Sequence, residues 1–327
     1  MKWAAKIATA LACVVSLATC SPVSAQDDVW PTRPVRLIAP SGPGGNPDVL
    51  ARLLADKLGA AFGRPFVVEN VPGAGGVVAA NIVAKAAPDG HVLMFGDSGS
   101  LAINPALNPS LGYDPIKAFS PITALVTLPT ILVIHPDVRA RSLADFIALA
   151  KSQPGEMSFG SAGAGSIHHL TFAIFAERVG IDLLHVPYRG GSAMVNGLLT
   201  GEIQAGWSGI PNVASHIKAG KLKVFAISTA RRSASLPDVP TAIEQGYADF
   251  DIATVIGLQA PAGAPREVVT RLQAAVAKIL RERETAERMT NLGMELMENG
   301  TEHYARFVKE DMQRYAQAVK AAGVRQE

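Results

Sequence analysis

The chain has 327 residues, 30 of them basic and 28 acidic, and is 48% hydrophobic and only 18% charged. That length and balance describe a globular protein with material for two cores, and they exclude a disordered chain and a polyanion-binding one. No nucleic-acid partner is expected.

The N-terminus reads as an export signal. Lys2 and Lys6 precede an apolar run from about Ile7 to Ala18, and Val23-Ser24-Ala25 has the small-x-small form that signal peptidase cuts. A signal at 1–25 gives a mature chain that starts at Gln26 and is exported to the periplasm. Without Lys2 and Lys6 the basic count falls from 30 to 28 and equals the acidic count. The apolar run is too short to span a bilayer, and no later stretch is long and apolar enough, so a soluble mature protein is expected. Both cysteines, Cys13 and Cys20, fall in the signal, which leaves no thiol, disulfide or cysteine metal site. Leu17-Ala18-Thr19-Cys20 resembles a lipoprotein box with an unusual Thr, so lipidation at Cys20 is the alternative fate of this segment.

The mature chain opens with a strand over Pro34 to Ala39, a glycine loop, Ser41-Gly42-Pro43-Gly44-Gly45, and a helix signalled by Val49, Leu50, Leu53, Leu54, Leu58 and Phe62 at one-face spacing. Asn46 suits the N-cap and Pro47 the first helical position. The unpaired N–H groups of such a helix start attract an anion. Asp48, in the first turn, either stabilises the helix through its own charge or accepts a hydrogen bond from a ligand. A strand (Phe66 to Glu69), a glycine turn (Gly73 to Gly76), a helix (about Val77 to Ala86) and a buried strand (Val92 to Phe95) follow. This alternation predicts a parallel sheet covered by helices. After an irregular Pro- and Asn-rich segment, one or two strands near Leu125 to Ile134 would carry the chain into a second domain.

There the opening device recurs: a helix from Ser142 to Ala150, a strand from Met157 to Ser161, then Gly160, Ser161, Ala162, Gly163 and Gly165, and Ser166 as N-cap of a helix that Gly180 stops. In that helix Leu170, Ala173 and Ile174 are expected to point inward. The strand Leu183 to Tyr188 leads into a third glycine turn at Arg189-Gly190-Gly191, then a helix, a strand ending at Trp207-Ser208-Gly209, a helical turn and the strand Lys223 to Ser228. Ile252 to Gly263 would cross back, and three helices close the chain, the last with Tyr304, Phe307, Val308, Met312, Tyr315 and Val319 as an apolar stripe.

Several motifs invite sharper readings. Gly96-Asp97-Ser98-Gly99 spells the nucleophile signature of chymotrypsin-like proteases, which makes a hydrolase acting through Ser98 the enzymatic alternative; in those proteases the His and the Asp both precede the Ser, whereas this Ser comes early in an α/β pattern. His168 and His169 are adjacent and point to different sides of a helix, so no metal is expected; one would touch a ligand and the other face solvent. The glycines after the strand ending at Ser161 do not match a dinucleotide fingerprint, and no cofactor is expected. Arg189 is either a carboxylate clamp or a solvated turn residue.

In order along nearly the whole mature chain, PVRLIAPSGPGGNPDVLARLLADKLG, VVENVPGAGG, AAPDGHVLMFG, AINPAL, YDPIKAFSPIT, FGSAGAGSIHHL, VPYRGG, HIKAGKLK, SLPDVPTAIEQG and GLQAPAGAP resemble the extracytoplasmic substrate-binding proteins of tripartite tricarboxylate transporters, the Bug receptors. The resemblance implies an α/β fold of two Rossmann-like domains with a ligand cleft between them, the type II periplasmic binding protein architecture. Domain 1 would comprise 26–126 plus 254–327, and domain 2 would comprise 127–253. It implies a monomer that binds a small organic acid without turnover and delivers it to the membrane permease subunits; a receptor that presents its ligand to a membrane sensor is the other reading. Position by position, it implies ligand contacts from Ser41, Gly42, Pro43, Gly44, Gly45 and Asn46 on one side. Gly160, Ser161, Ala162, Gly163, Ser166, His168, Tyr188 and Arg189 would face them, with Ser98 as an extra contact. Two departures stand out. Gly44-Gly45-Asn46-Pro47-Asp48 replaces the common Gly-Gly-Gly-Thr-Asp, and Pro47 removes an N–H donor. Ser208-Gly209 replaces Asp-Asn before Ile210-Pro211; Trp207 then offers either an apolar wall to the ligand or ordinary core.

Overall fold

The computed structural model describes residues 29–108, 110–248, 250–297, 300–321 and 323. The export signal, the cleavage point after Ala25 and Cys20 lie outside the described residues. By its internal contacts the chain divides into a unit ending at Thr32 and a compact unit, Arg33–Glu327, to which everything below belongs.

The first half is a βαβαβ run. Strand β1 (Val35–Ala39) leads through the glycine loop to α1 (Asn46–Phe62), then β2 (Phe66–Asn70), a 3₁₀ turn at Ala74–Gly76, α2 (Val77–Ala84) and β3 (Val92–Asp97). All three strands are parallel with β1 in the middle, Val35 opposite Phe66 and Arg36 opposite Val92. This is what helical crossovers dictate. A π-turn at Gly99–Ile103 and the short α3 (Asn104–Leu107) follow.

Strand β4 (Phe119–Ile134) is one continuous strand of 16 residues, where the sequence left one or two open. It pairs with the returning β9 (Ala253–Pro261) from Phe119 to Pro129, and from Thr130 to Ile134 it pairs with two strands of a second sheet. Both halves thus share one strand, and the changeover falls at Pro129–Thr130. The second sheet is built from α4 (Leu143–Ser152), β5 (Ser158–Ser161), α5 (Ile167–Val179), β6 (Leu184–Pro187), α6 (Gly191–Thr200), β7 (Ala205–Gly209), α7 (Ile210–Lys218) and β8 (Lys223–Ile227). Its β7, β5 and β6 are parallel to one another, and β7 runs antiparallel to β4. After β9 come α8 (Arg266–Leu280), α9 (Arg283–Asn291), the two-residue β10 (Glu295–Leu296), which pairs with β4, and α10 (Thr301–Ala321).

Of the hydrophobic cores among the described residues, α10 enters two. Tyr304 and Val308 pack with Ile38, Met94 and Val255 of the first; Tyr315, Ala318 and Val319 pack with Phe146, Phe172, Phe175, Trp207 and Phe250 of the second. A helix of this length spans about 30 Å, enough to reach across. In α5 the inward residues are Leu170, Phe172, Phe175 and Val179, whereas Ala173 and Ile174 are half-buried, so the apolar face is rotated from the expected one.

Candidate functional site

A cavity of about 240 Å³ opens where the crossing strands change sheets. From the first half it is lined by Asn46 and Pro47 at the start of α1 and by Asp97 at the end of β3. The crossing strands give Leu128, Pro129, Thr130, Thr254 and Ile256, and the second half gives Ile167 and His168 of α5 with Gly209, Pro211 and Asn212 at the start of α7. Larger hollows of about 440 Å³ beside His135 and about 660 Å³ beside Phe119 lie elsewhere and include no strand-to-helix glycine loop.

Three helix N-termini therefore meet at one cavity. Each leaves its first N–H groups without an intrahelical acceptor and carries the positive end of a helix dipole. At α5 the Ser166 hydroxyl caps the His169 N–H at 3.3 Å, as the sequence predicted, and the amides of Ile167 and His168 remain for a guest. At α1 and α7 the N-cap is glycine, Gly45 and Gly209, each in extended backbone, and proline occupies the second helical position. Asn46 is thus the first helical residue and not the cap. No Lys or Arg lines the cavity among the described residues.

The changeover itself is stitched by a residue outside every sequence motif. Ser228 Oγ donates to the Ile252 carbonyl at 2.5 Å and accepts from the Thr130 N–H and the Thr130 hydroxyl, both at 3.0 Å. These bonds satisfy buried polar groups and tie the two crossings side by side.

Of the ligand contacts expected from the sequence, Asn46 and His168 line the cavity. The His168 ring is the better placed for chemistry. Its Nδ1 is shut off from solvent and has no hydrogen-bond partner. Desolvation lowers its pKa to about 4, so the ring is neutral at physiological pH.

The rest of the α1 loop turns on itself at Gly44 and Asp48, while the Ser41 hydroxyl is buried without a partner. Asp48 is buried; its Oδ2 accepts the Gly44 N–H at 2.8 Å, and its Oδ1 accepts from Asn70 at 2.8 Å and pairs with Arg52 at 2.9 Å. Desolvation pushes its carboxyl up, but the Gly44 amide, Arg52 and Asn70 outweigh this and hold it below the usual carboxylate range. Asp48 is therefore the anion that the glycine loop already holds. Ser41, Gly42, Pro43, Gly44 and Gly45 shape that turn, which Gly44 closes at φ 81°.

Other named residues serve the second half's packing. A Cβ on Gly160 would meet Ile203 Cδ1 at 2.2 Å, so this glycine makes room for the neighbouring side chain. Ser161 is fully buried, bonded to His185 Nε2 at 2.7 Å and to the Gly163 carbonyl at 2.9 Å. Ala162, Gly163 and Ser166 are half-buried around the start of α5. Tyr188 lays its ring against Gly197, and burial together with Glu202 pushes its hydroxyl up to about 12. Arg189 is exposed, with no ion pair among the described residues. Trp207 is core: 0% exposed, its ring 5.6 Å from Phe175 and 5.2 Å from Phe250. Ser208 is fully buried in β7 opposite Ile131. His169, expected beside solvent on one reading, is buried; its Nδ1 accepts the Gly165 N–H at 3.1 Å and its ring stacks on His185 at 3.8 Å.

Ser98 is placed away from the cavity. Its Oγ is buried, accepts the Val255 N–H at 3.1 Å and bonds to Asp311 of α10. The serine is held between a strand amide and a carboxyl, with no histidine on it among the described residues, so the Ser-His pairing of the protease signature is not formed there.

Sequence reasoning missed Asp97, Thr130, Pro211, Asn212, Thr254 and Ile256. A signal for α7 was present: Gly209-Ile210-Pro211 after a strand repeats Gly45-Asn46-Pro47, glycine cap and proline in the same places.

Two α/β halves around a shared pair of crossing strands, with helix starts facing a cleft, define the type II periplasmic binding protein fold. A profile described as the tripartite tricarboxylate transporter family receptor matches residues 50–324. The chain is 34% identical to protein BugT of Bordetella pertussis over 306 residues, 93% of each chain. Among solved structures it resembles an R. palustris protein with adipate (32% identity, TM-score 0.77, covering 90% of this chain and 99% of that one). It also resembles MatC of Rhodopseudomonas palustris with bound malate (32%, TM-score 0.73, 89% and 100%). The chain belongs to the tripartite tricarboxylate transporter receptor family, a family of solute receptors.

Proposed function

We propose that this protein is an exported, monomeric receptor that holds a small organic acid in the cleft between its two halves and delivers it to the membrane permease of a tripartite tricarboxylate transporter, without turnover. The observation that carries this reading is the meeting of three helix N-termini at a cavity lined, among the described residues, by no Lys or Arg. Backbone amides and dipoles at such a point favour an anion. A carboxylate on Ile167 and His168 of α5 and on the start of α7 would bring Asn46 of α1 over it, and the halves would close about Pro129–Thr130 and the start of β9. Two relatives of similar fold carry dicarboxylates, adipate and malate, which supports the carboxylate class. The domain limits 26–126 with 254–327 and 127–253, the signal at 1–25 and lipidation at Cys20 belong to the same proposal.

A thermal-shift screen of ligand-stripped mature protein against mono-, di- and tricarboxylates, aromatic acids and amino acids tests it. A ligand at a hundred times its Kd adds about 2.7 kcal/mol. A selective shift with one carboxylate is the expected result. No shift with any acid from protein shown to be ligand-free overturns the reading, and ester hydrolysis surviving Ser98→Ala or lost with it would overturn the statement that there is no turnover.

A further inference from the structure

Among the described residues Asp97 is the one carboxylate that lines the cavity. It closes β3 opposite Ile256 of β9, and both residues line the cavity. Its hydrogen bonds come from the turn that follows it: the Ser100 N–H and the Ser100 hydroxyl both reach Oδ1 at 2.9 Å, and the Gly99 amide lies beside it. No Lys or Arg pairs with it among the described residues, and the other ionisable side chain of the lining is His168, from the opposite half.

Resting on the carboxylate reading above, we propose that Asp97 sets specificity: the receptor takes a monocarboxylate that also carries a hydrogen-bond donor, a hydroxyl or an ammonium, and rejects a second ionised carboxylate. The helix starts hold the carboxylate. The far group then meets Asp97, which can only accept while ionised. A donor satisfies it. A second carboxylate would stand against Asp97 with no Lys or Arg in the lining to relieve the repulsion, and like charges in a partly dry site oppose one another strongly. Desolvation raises the Asp97 carboxyl above its usual range, and the Ser100 and Gly99 hydrogen bonds, which favour the carboxylate, offset part of that.

Isothermal titration near neutral pH decides this with succinate, glutarate and adipate against the ω-hydroxy and ω-amino acids of the same lengths. Wild type is expected to prefer a hydroxy or amino acid over its matched dicarboxylate by at least about tenfold in Kd. Asp97→Asn, which keeps an oxygen for Ser100, is expected to bring the two within about threefold, chiefly by tightening the dicarboxylate. The hydroxy and amino arms identify which donor the site reads, because an ammonium loses more than a hydroxyl when the Asp97 charge is removed. Wild type binding a dicarboxylate as tightly as its matched hydroxy and amino acids overturns the proposal, and so does a ratio unchanged in Asp97→Asn. The wild-type series stands by itself if that variant does not fold, with Asp97→Ser as a second replacement. Binding of carboxylates with no such preference removes only the role of Asp97; binding of none removes the carboxylate reading and this inference with it.

Discussion

The backbone N–H of Gly44 donates to Asp48 Oδ2 at 2.8 Å, so the glycine loop at the head of α1 wraps an anion that its own helix supplies. Asp48 also joins Asn70 of β2 and Arg52. Its removal would free the Gly44 amide and leave the loop without its anchor. Asp48→Ala is expected to lower stability by about 1–3 kcal/mol, read as a lower melting temperature, and to weaken ligand binding because Asn46 moves with the loop. The folded carboxyl titrates below its unfolded value. Its stabilisation is therefore present above about pH 4 and lost as pH falls through the lowered folded value. An Asp48→Ala variant as stable as wild type at neutral pH would remove the anchor role.

His168 gives a pH dependence of the opposite kind. Its pKa falls to about 4 in the folded protein because the ring is desolvated, whereas an unfolded histidine titrates near 6.5. Between those values the unfolded chain binds the extra proton, so this part of the stability is intact above about pH 6.5 and is lost progressively as pH falls to about 4. His169 has the same direction through burial and then His185, so the informative quantity is the difference between wild type and His168→Gln. Melting curves from about pH 4 to 7 should show wild type losing on the order of 1–3 kcal/mol more than the variant. Parallel curves would mean that His168 reaches water.

Much of the fold was legible because periodicity and punctuation agreed. Gly180 ends α5 in the left-handed conformation and Ser166 caps its start, both readable from residue type. The parallel β2-β1-β3 order follows from helices lying between those strands. The site was legible in its elements and not in its side chains. Glycine loops announced two of the three helix starts, but which loop atoms face the cavity depends on internal bonds that sequence does not display. Asp48 turns the first loop toward itself, and Ser161 is consumed by His185. Asp97 was visible only as part of a protease-like tetrapeptide. Its position in the cavity arises from pairing with Ile256, far away in sequence. Likewise Asp311 falls on the buried side of α10 among residues read as an apolar stripe, and nothing local marks it.

Neighbouring glycines of the first loop separate close packing from backbone freedom. A Cβ on Gly45 would lie 2.8 Å from both Cβ and Oγ of Ser41, whereas one on Gly42 would meet nothing within 4 Å. Gly45→Ala should therefore displace the cap of α1, costing about 1–3 kcal/mol and weakening binding. Gly42→Ala should stay within about 0.5 kcal/mol of wild type. Denaturant unfolding of the two variants checks this, and equal stabilities would show that the loop yields without cost.

Asp311 couples α10 to the crossing strand β9. It is 2% exposed, lies 3.2 Å from Arg314, and bonds to Ser98, whose Oγ accepts the Val255 N–H at 3.1 Å. Burial raises its pKa to about 7, and the Ser98 hydroxyl and Arg314 offset only part of that. An unfolded aspartate titrates near 3.9, so between about pH 4 and 7 the folded state binds more protons than the unfolded one. Stability from this residue accordingly falls as pH rises through that window and is level above it, the reverse of the trend at His168. Asp311→Asn keeps an acceptor for Ser98 and cannot ionise. Its melting temperature should fall less than that of wild type between about pH 5 and 7, by a difference on the order of 1–3 kcal/mol. Because Val255 lies beside the cavity residues Thr254 and Ile256, the same variant should also show a flatter dependence of ligand affinity on pH. A wild-type profile that runs parallel to the variant's across this range would show that Asp311 is ionised throughout.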